Sequence, residues 1–143
     1  MFSTPVKEIM ESRKLLQAAP DTTVRAAAEL MATRGVGAVL VVDGQRLLGI
    51  FTERDVVFRV VARGLDTGTT RIDEVMTPQP KTIEPDKPFG RAMLVMHEHG
   101  FRHLPVVDHG VPIGIVSARS AMDPDLEEFV SEERRRKHLQ ESP

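Results

Sequence analysis

Gly49-Ile50-Phe51-Thr52-Glu53-Arg54-Asp55 closes an apolar strand and opens a helix. The glycine at its head removes a side chain where the backbone must come close to something. The Thr52 hydroxyl falls at the helix start, beside N–H groups that no earlier turn can satisfy and at the positive end of the helix dipole. That is a place for an anion, most naturally a phosphate. Asp55 lies three residues on, about one turn inside the helix and on the same side as Thr52. Its carboxylate can accept hydrogen bonds from two neighbouring hydroxyls, as a ribose diol would offer. A second reading of the same residues is purely local: Thr52 is a good N-cap, and Asp55 complements the helix dipole. The heptad alone does not choose between the two, so the rest of the chain must.

Upstream, Val6–Met10 reads as a short helical turn and Leu15–Ala18 as a brief strand. Asp21-Thr22-Thr23 offers N-caps for a helix over 22–34, whose Val24, Ala27, Ala28 and Met31 share one face. Gly35 and Gly37 end it. Ala38–Val42 is an apolar run too short for a helix and is expected to be a buried strand. Asp43-Gly44 is a hairpin signal returning into Leu47–Phe51. The helix from Thr52 is expected to bury Val56, Val57, Val60 and Val61, with Gly64 closing it.

After the polar loop Leu65–Arg71 the same pattern recurs. Ile72–Met76 echoes Val6–Met10, and Phe89, Ala92, Met93 and Met96 repeat the apolar face of the first helix. Val24 to Phe89, Gly35 to Gly100, Val42 to Val107 and Gly49 to Gly114 are each separated by 65 residues. A constant offset through a helix, two strands and a motif marks a tandem duplication. Each copy reads strand–helix–strand–strand–helix. One such sheet with helices on one side leaves an apolar face bare, so the two copies should pack together with the helices outside. Pseudo-twofold packing also creates two equivalent clefts, where ligands tend to bind.

Composition bounds the function. The 143 residues are 41% apolar, with no Trp, no Tyr and six Phe, so Val, Ile, Leu, Met and Ala must build the core. A formal net charge of −2 argues against a protein dedicated to nucleic acid, and the lack of cysteine excludes disulfide and thiolate chemistry. MFSTPVKEIMESRK has the pattern of neither a signal peptide nor a membrane span, so a cytoplasmic protein without a membrane partner is expected.

With its motif set inside this repeat, the chain resembles a tandem pair of CBS domains, the Bateman module, of the stand-alone type. The resemblance rests on Gly49–Asp55, on Arg102-His103-Leu104-Pro105-Val106-Val107-Asp108, and on Val75-Met76-Thr77-Pro78 followed by Thr82-Ile83. It covers residues from about 6 to 122. It implies an α+β fold of two βαββα repeats, 1–70 and 71–122, with 123–143 as a C-terminal helix and tail. It also implies binding of adenosine-containing ligands between the repeats: AMP, ADP or ATP, with NAD and S-adenosylmethionine as further candidates. Such modules associate into homodimers. By the resemblance, Thr52 binds phosphate and Asp55 ribose, while adenine lies against Gln17-Ala18 and Gly37-Ala38-Val39.

The second motif, Gly114-Ile115-Val116-Ser117-Ala118-Arg119-Ser120, keeps the glycine and the hydroxyl but has Ser120 in place of the carboxylate. Charge-assisted bonds are worth roughly 1.5–3 kcal/mol each, so one good site is expected and one weak or empty. Ser117 can still meet a phosphate. Arg54 and Arg119 hold equivalent places and either lean towards phosphates or remain solvated helix residues. His103 should edge the nucleotide cleft. His97 and His99 stand at i, i+2 on different sides of a helix, which does not make a zinc motif. No metal site, catalytic set or obligatory cofactor is read. The tail carries Leu126, Phe129 and Val130 as an apolar stripe in a helix begun by Asp123-Pro124. The expectation is a regulatory module that senses adenine nucleotides and signals to an effector protein, rather than an enzyme. The alternative is a structural homodimerisation module with a vestigial motif.

Overall fold

A computed structural model of the chain describes residues 2–13, 15–120 and 132–139. The first repeat contains β1 (Gln17–Ala18), α1 (Val24–Arg34), β2 (Ala38–Asp43), β3 (Arg46–Thr52) and α2 (Glu53–Asp55). α2 runs on as a π-helix over Val56–Val61, with Ala62 N–H bonding the Val57 carbonyl five residues back. Then follow β4 (Thr77–Pro78), α3 (Phe89–His99), β5 (His103–Asp108) and β6 (Val111–Ser117). Residues 132–139 form a helix, α4. The helix expected from Asp123-Pro124, with its stripe Leu126, Phe129 and Val130, lies outside the described residues except for its last turns.

α1 starts where Thr23 accepts the Ala26 N–H at 3.1 Å and stops at Gly35, whose φ of 65° is the left-handed turn that glycine permits. β2 is buried because it is covered on both faces. Val39 and Val41 pack with Phe51 against the helix side, whereas Ala38 and Leu40 join Ile50, Leu47 and Ile115 between the two sheets. That two-sided burial explains the unbroken apolar run. The second repeat builds its own core on Phe89, Ala92, Met96, Leu104, Val106 and Val116. The α+β architecture of two paired repeats is thus as expected.

The sheet order is β1-β2-β3-β4, with β1 parallel to β2 and the others antiparallel. β5 and β6 repeat the β2–β3 hairpin, down to a bulge at Val106/Val107 matching that at Val41/Val42. Their flanking strands shrink to single bridges, Ile83 with Val106 and Glu11 with Ile115. The repeats are therefore interlocked. β4, near the head of the second repeat, pairs with the first sheet, and Glu11, near the head of the first repeat, pairs with the second. The short turns do likewise: Val6 is buried in the second core and Ile72 in the first.

Gly49 and Gly114 make this crossing possible. A Cβ on Gly49 would collide with the Met76 sulfur and stand 2.8 Å from the Thr77 carbonyl oxygen. A Cβ on Gly114 would stand 2.5 Å from the Met10 sulfur. The close approach expected at Gly49 is therefore to the chain's own linker.

Several local expectations need correction. The first strand is Gln17–Ala18 rather than Leu15–Ala18, and Gly37 leads into β2 rather than ending α1. α2 buries Val60 but leaves Val57 54% and Val61 66% exposed. The helical spacing assumed for this segment fails because the wider π turn rotates those two side chains outward.

Candidate functional site

The motif helix begins in a capping box. Asp55 Oδ2 accepts from Thr52 N–H at 2.9 Å and from the Thr52 hydroxyl at 3.2 Å, while the Asp55 N–H points back at Thr52 Oγ1 at 3.4 Å. The local capping reading is therefore realised. It does not exhaust the carboxylate, which has about four lone-pair sites. Oδ1 stands 3.5 Å from Arg59 Nε, an ion pair longer than a hydrogen bond. Asp55 itself is 6% exposed. The second motif copies the geometry in neutral form: Ser120 Oγ accepts Ser117 N–H at 3.0 Å and lies 3.3 Å from Ser117 Oγ.

Each motif faces the other repeat. A cleft of about 710 Å³ gathers Thr52, Arg54 and Asp55 with Lys81, Arg102 and His103. A second cleft, of about 680 Å³, sets Ser117 and Arg119 against Gly35, Val36 and Gly37. Glu53, Arg102 and His103 line both and form the wall between them. Glu53 is fixed there because its N–H bonds the Gly37 carbonyl at 3.0 Å.

The expected site residues are thus divided. Thr52, Arg54, Asp55 and His103 share one cleft, and Gly37, Ser117, Arg119 and His103 share the other. Gln17, Ala18, Ala38, Val39 and Gly49 line neither. Gln17 and Ala18 run beside β2, Ala38 and Val39 are buried in the sheet layers, and Gly49 lies under Met76. The strand start that faces Thr52 and Asp55 is that of β5, one repeat further on, because the pseudo-twofold axis passes each motif across to its partner. Lys81, Phe101 and Arg59 are additions that the sequence reading lacked. The constant offset carried a signal for two of them, since Lys81 and Phe101 are the counterparts of Leu16 and Val36, next to the expected Gln17 and Gly37, but it carried none for Arg59.

Electrostatics distinguish the two clefts. The larger holds Arg54, Lys81 and Arg102 against Glu53 and Asp55, with Asp55 already paired to Arg59. Arg54 lies 4.7 Å above the Phe58 ring, which steadies the guanidinium at the cleft edge. Burial pushes the His103 imidazole below its ordinary 6.5; Arg102 adds to that and Glu53 opposes it. His99 bonds the Val95 carbonyl at 3.0 Å and stacks on Phe101. Among the described residues no group of three or more His, Asp or Glu could hold a metal ion. No helix among them is long and apolar enough to cross a membrane.

The CBS domain family matches residues 6–62 and 72–124. The chain is 36% identical over 112 residues to the CBS domain-containing protein YhcV of Bacillus subtilis, spanning 78% of this chain and 79% of that protein. Several longer curated relatives, from Schizosaccharomyces pombe and Arabidopsis thaliana, are matched over only 17% to 20% of their length. A CBS-domain protein of Burkholderia ambifaria, named for signal transduction, superposes with a TM-score of 0.80 at 36% identity, covering 87% of this chain and 95% of that one. A CBS domain protein of Pyrobaculum aerophilum, solved complexed with AMP, gives 0.76 at 26% identity over 82% and 89% of the two chains. Two family matches in tandem, interlocked repeats and a motif at the inter-repeat cleft lead to one conclusion: this chain belongs to the CBS domain family and carries a tandem pair of them.

Proposed function

We propose that this CBS pair is a regulatory sensor of adenine nucleotides and does not itself catalyse a reaction. The observation that carries this reading is the convergence of Thr52 and Asp55 with Lys81, Arg102 and His103 in one cleft between the repeats. Asp55 Oδ1 offers an acceptor to a ribose hydroxyl, and the α2 start with Arg54, Lys81 and Arg102 offers donors to phosphate. This charge set favours phosphate-bearing ligands (AMP, ADP, ATP or NAD) over the sulfonium of S-adenosylmethionine. The AMP found in the Pyrobaculum aerophilum relative supports the same ligand class. The second cleft, with Ser120 at the carboxylate position, is the weaker site.

Val57 and Phe58, exposed at 54% and 59%, join Val61 as an apolar face on α2 beside this cleft. Contiguous exposed apolar surface of this kind marks association. It supports a homodimer through α2, adjoining the ligand and ready to pass its state to an effector protein.

A thermal-shift panel with AMP, ADP, ATP, NAD and S-adenosylmethionine on wild type and Asp55→Asn tests the reading. At 100-fold saturation one site stabilises the fold by about 2.7 kcal/mol, a rise of about 5–10 °C. A phosphate-bearing ligand should give that rise and the variant should lose it. A flat panel at millimolar ligand would leave the structural dimerisation module as the better reading.

A further inference from the structure

We propose that Arg59 is the positioning residue through which a ligand on Asp55 acts on the crossing linker Val75–Pro78; the inference rests on the nucleotide reading above. Arg59 reaches in two directions. Its Nε stands 3.5 Å from Asp55 Oδ1, and its Nη1 donates to the carbonyls of Val75 at 3.2 Å and Met76 at 2.9 Å. A guanidinium can do this because its donors lie in a rigid planar fork.

The linker it grips is the one that crosses between repeats. Met76 sits over Gly49, Thr77 and Pro78 pair as β4 with Ile50 and Gly49, and Gln79 N–H bonds the Leu48 carbonyl at 3.0 Å. Lys81 then lines the cleft facing Asp55. The path from Asp55 through Arg59 and β4 to Lys81 therefore returns to the cleft where it began. Oδ1 is the carboxylate oxygen that the capping box leaves without a hydrogen bond shorter than 3.5 Å. A hydroxyl donating to it competes with Arg59 and changes the guanidinium's hold on the two carbonyls.

The second repeat lacks both ends of the device. At the constant offset, Asp55 corresponds to Ser120 and Arg59 to Pro124, whose side chain has no donor. The carboxylate and the guanidinium are missing together, as parts of one unit would be. The coupling is one-sided: the cleft with the carboxylate acts on the linker that leads into the second repeat.

The test is amide exchange at Gln79 in the full chain, for wild type, Arg59→Gln, Asp55→Asn and the double variant, with and without ADP. Without ligand, each single variant should speed Gln79 exchange about tenfold, and the double variant should be no faster than either, as expected of coupled partners. The Ile83 and Val107 amides, which hold the bridge in the second sheet, should keep their rates and thereby exclude general loosening. With saturating ADP, at a concentration set for each variant by its own titration, wild type should change its Gln79 rate at least about fivefold and Arg59→Gln should not. Unchanged rates, or effects that add in the double variant, overturn the coupling while ADP binding stands. An absence of calorimetric heat from ADP on wild type overturns the nucleotide reading and the signalling role with it.

Discussion

Alanine at Gly49 and at Gly114 is the same substitution at equivalent positions, yet the two should differ sharply. At Gly49 the new methyl meets the Met76 sulfur and, at 2.8 Å, the Thr77 carbonyl oxygen. The sulfur can swing aside. The carbonyl belongs to β4, which is held by its register with β3 and by the Gln79–Leu48 bond, so backbone must move. Overpacking of this kind costs about 1–3 kcal/mol, and immovable backbone places it near the top of that range. Replacing glycine returns about 0.5–1 kcal/mol through the unfolded state. The net cost is about 2 kcal/mol. At Gly114 the near atoms are the Met10 sulfur at 2.5 Å and its Cγ at 3.0 Å, and the nearest backbone atom, the Glu11 oxygen, is at 3.2 Å. A flexible side chain gives way there, and the two effects nearly cancel. With a urea m-value of about 2 kcal/mol/M, Gly49→Ala should lower the unfolding midpoint by about 1 M and Gly114→Ala by less than about 0.3 M. Adding Met76→Ala to Gly49→Ala should recover less than half of the loss, because the carbonyl remains. Equal midpoints for the two glycine variants would refute the interlocked-linker account.

Thr52→Ala removes the capping hydroxyl and should cost about 1 kcal/mol by chemical denaturation, whereas Asp55→Asn, which keeps an acceptor for Thr52 N–H, should cost less than Asp55→Ala. Since burial holds the His103 pKa below 6.5, the unfolded chain takes up that proton first, and stability should fall as pH drops below about 6.5. An anion beside His103 raises its pKa again, so ADP binding should take up a proton and tighten as pH falls through the same window. Titration in two buffers of different ionisation heat reads this, and His103→Gln should reduce the uptake to the part that comes from the ligand's own terminal phosphate. Val57→Glu with Val61→Glu should convert a dimer to a monomer in light scattering while keeping the wild-type circular dichroism spectrum, since both side chains are largely exposed in the single chain.

The duplication was legible because both copies keep the glycine that ends the first helix (Gly35, Gly100), the glycine that heads the motif (Gly49, Gly114), and the apolar faces around them at one offset, and the fold followed from it. The capping pair Thr52–Asp55 was equally legible, since it is local in sequence. What the sequence concealed is long-range. No periodicity tells that Met76 lies over Gly49, that Val6 belongs to the second core, or that Thr52 faces His103 rather than Gly37. Those facts arise from the exchange of linkers between repeats. The exposure of Val57 and Val61 was hidden for a different reason: a π turn has no signature in the apolar spacing, and it shifts the face of every residue after it.

The most direct measurement is a calorimetric titration of ADP into the full chain and into Asp55→Asn at low salt. One ADP per chain, with binding weakened about tenfold or more by the variant, is the predicted result. Two equal sites per chain, or wild-type heat that Asp55→Asn leaves unchanged, would contradict the claim that the cleft of Thr52 and Asp55 is the sensing site.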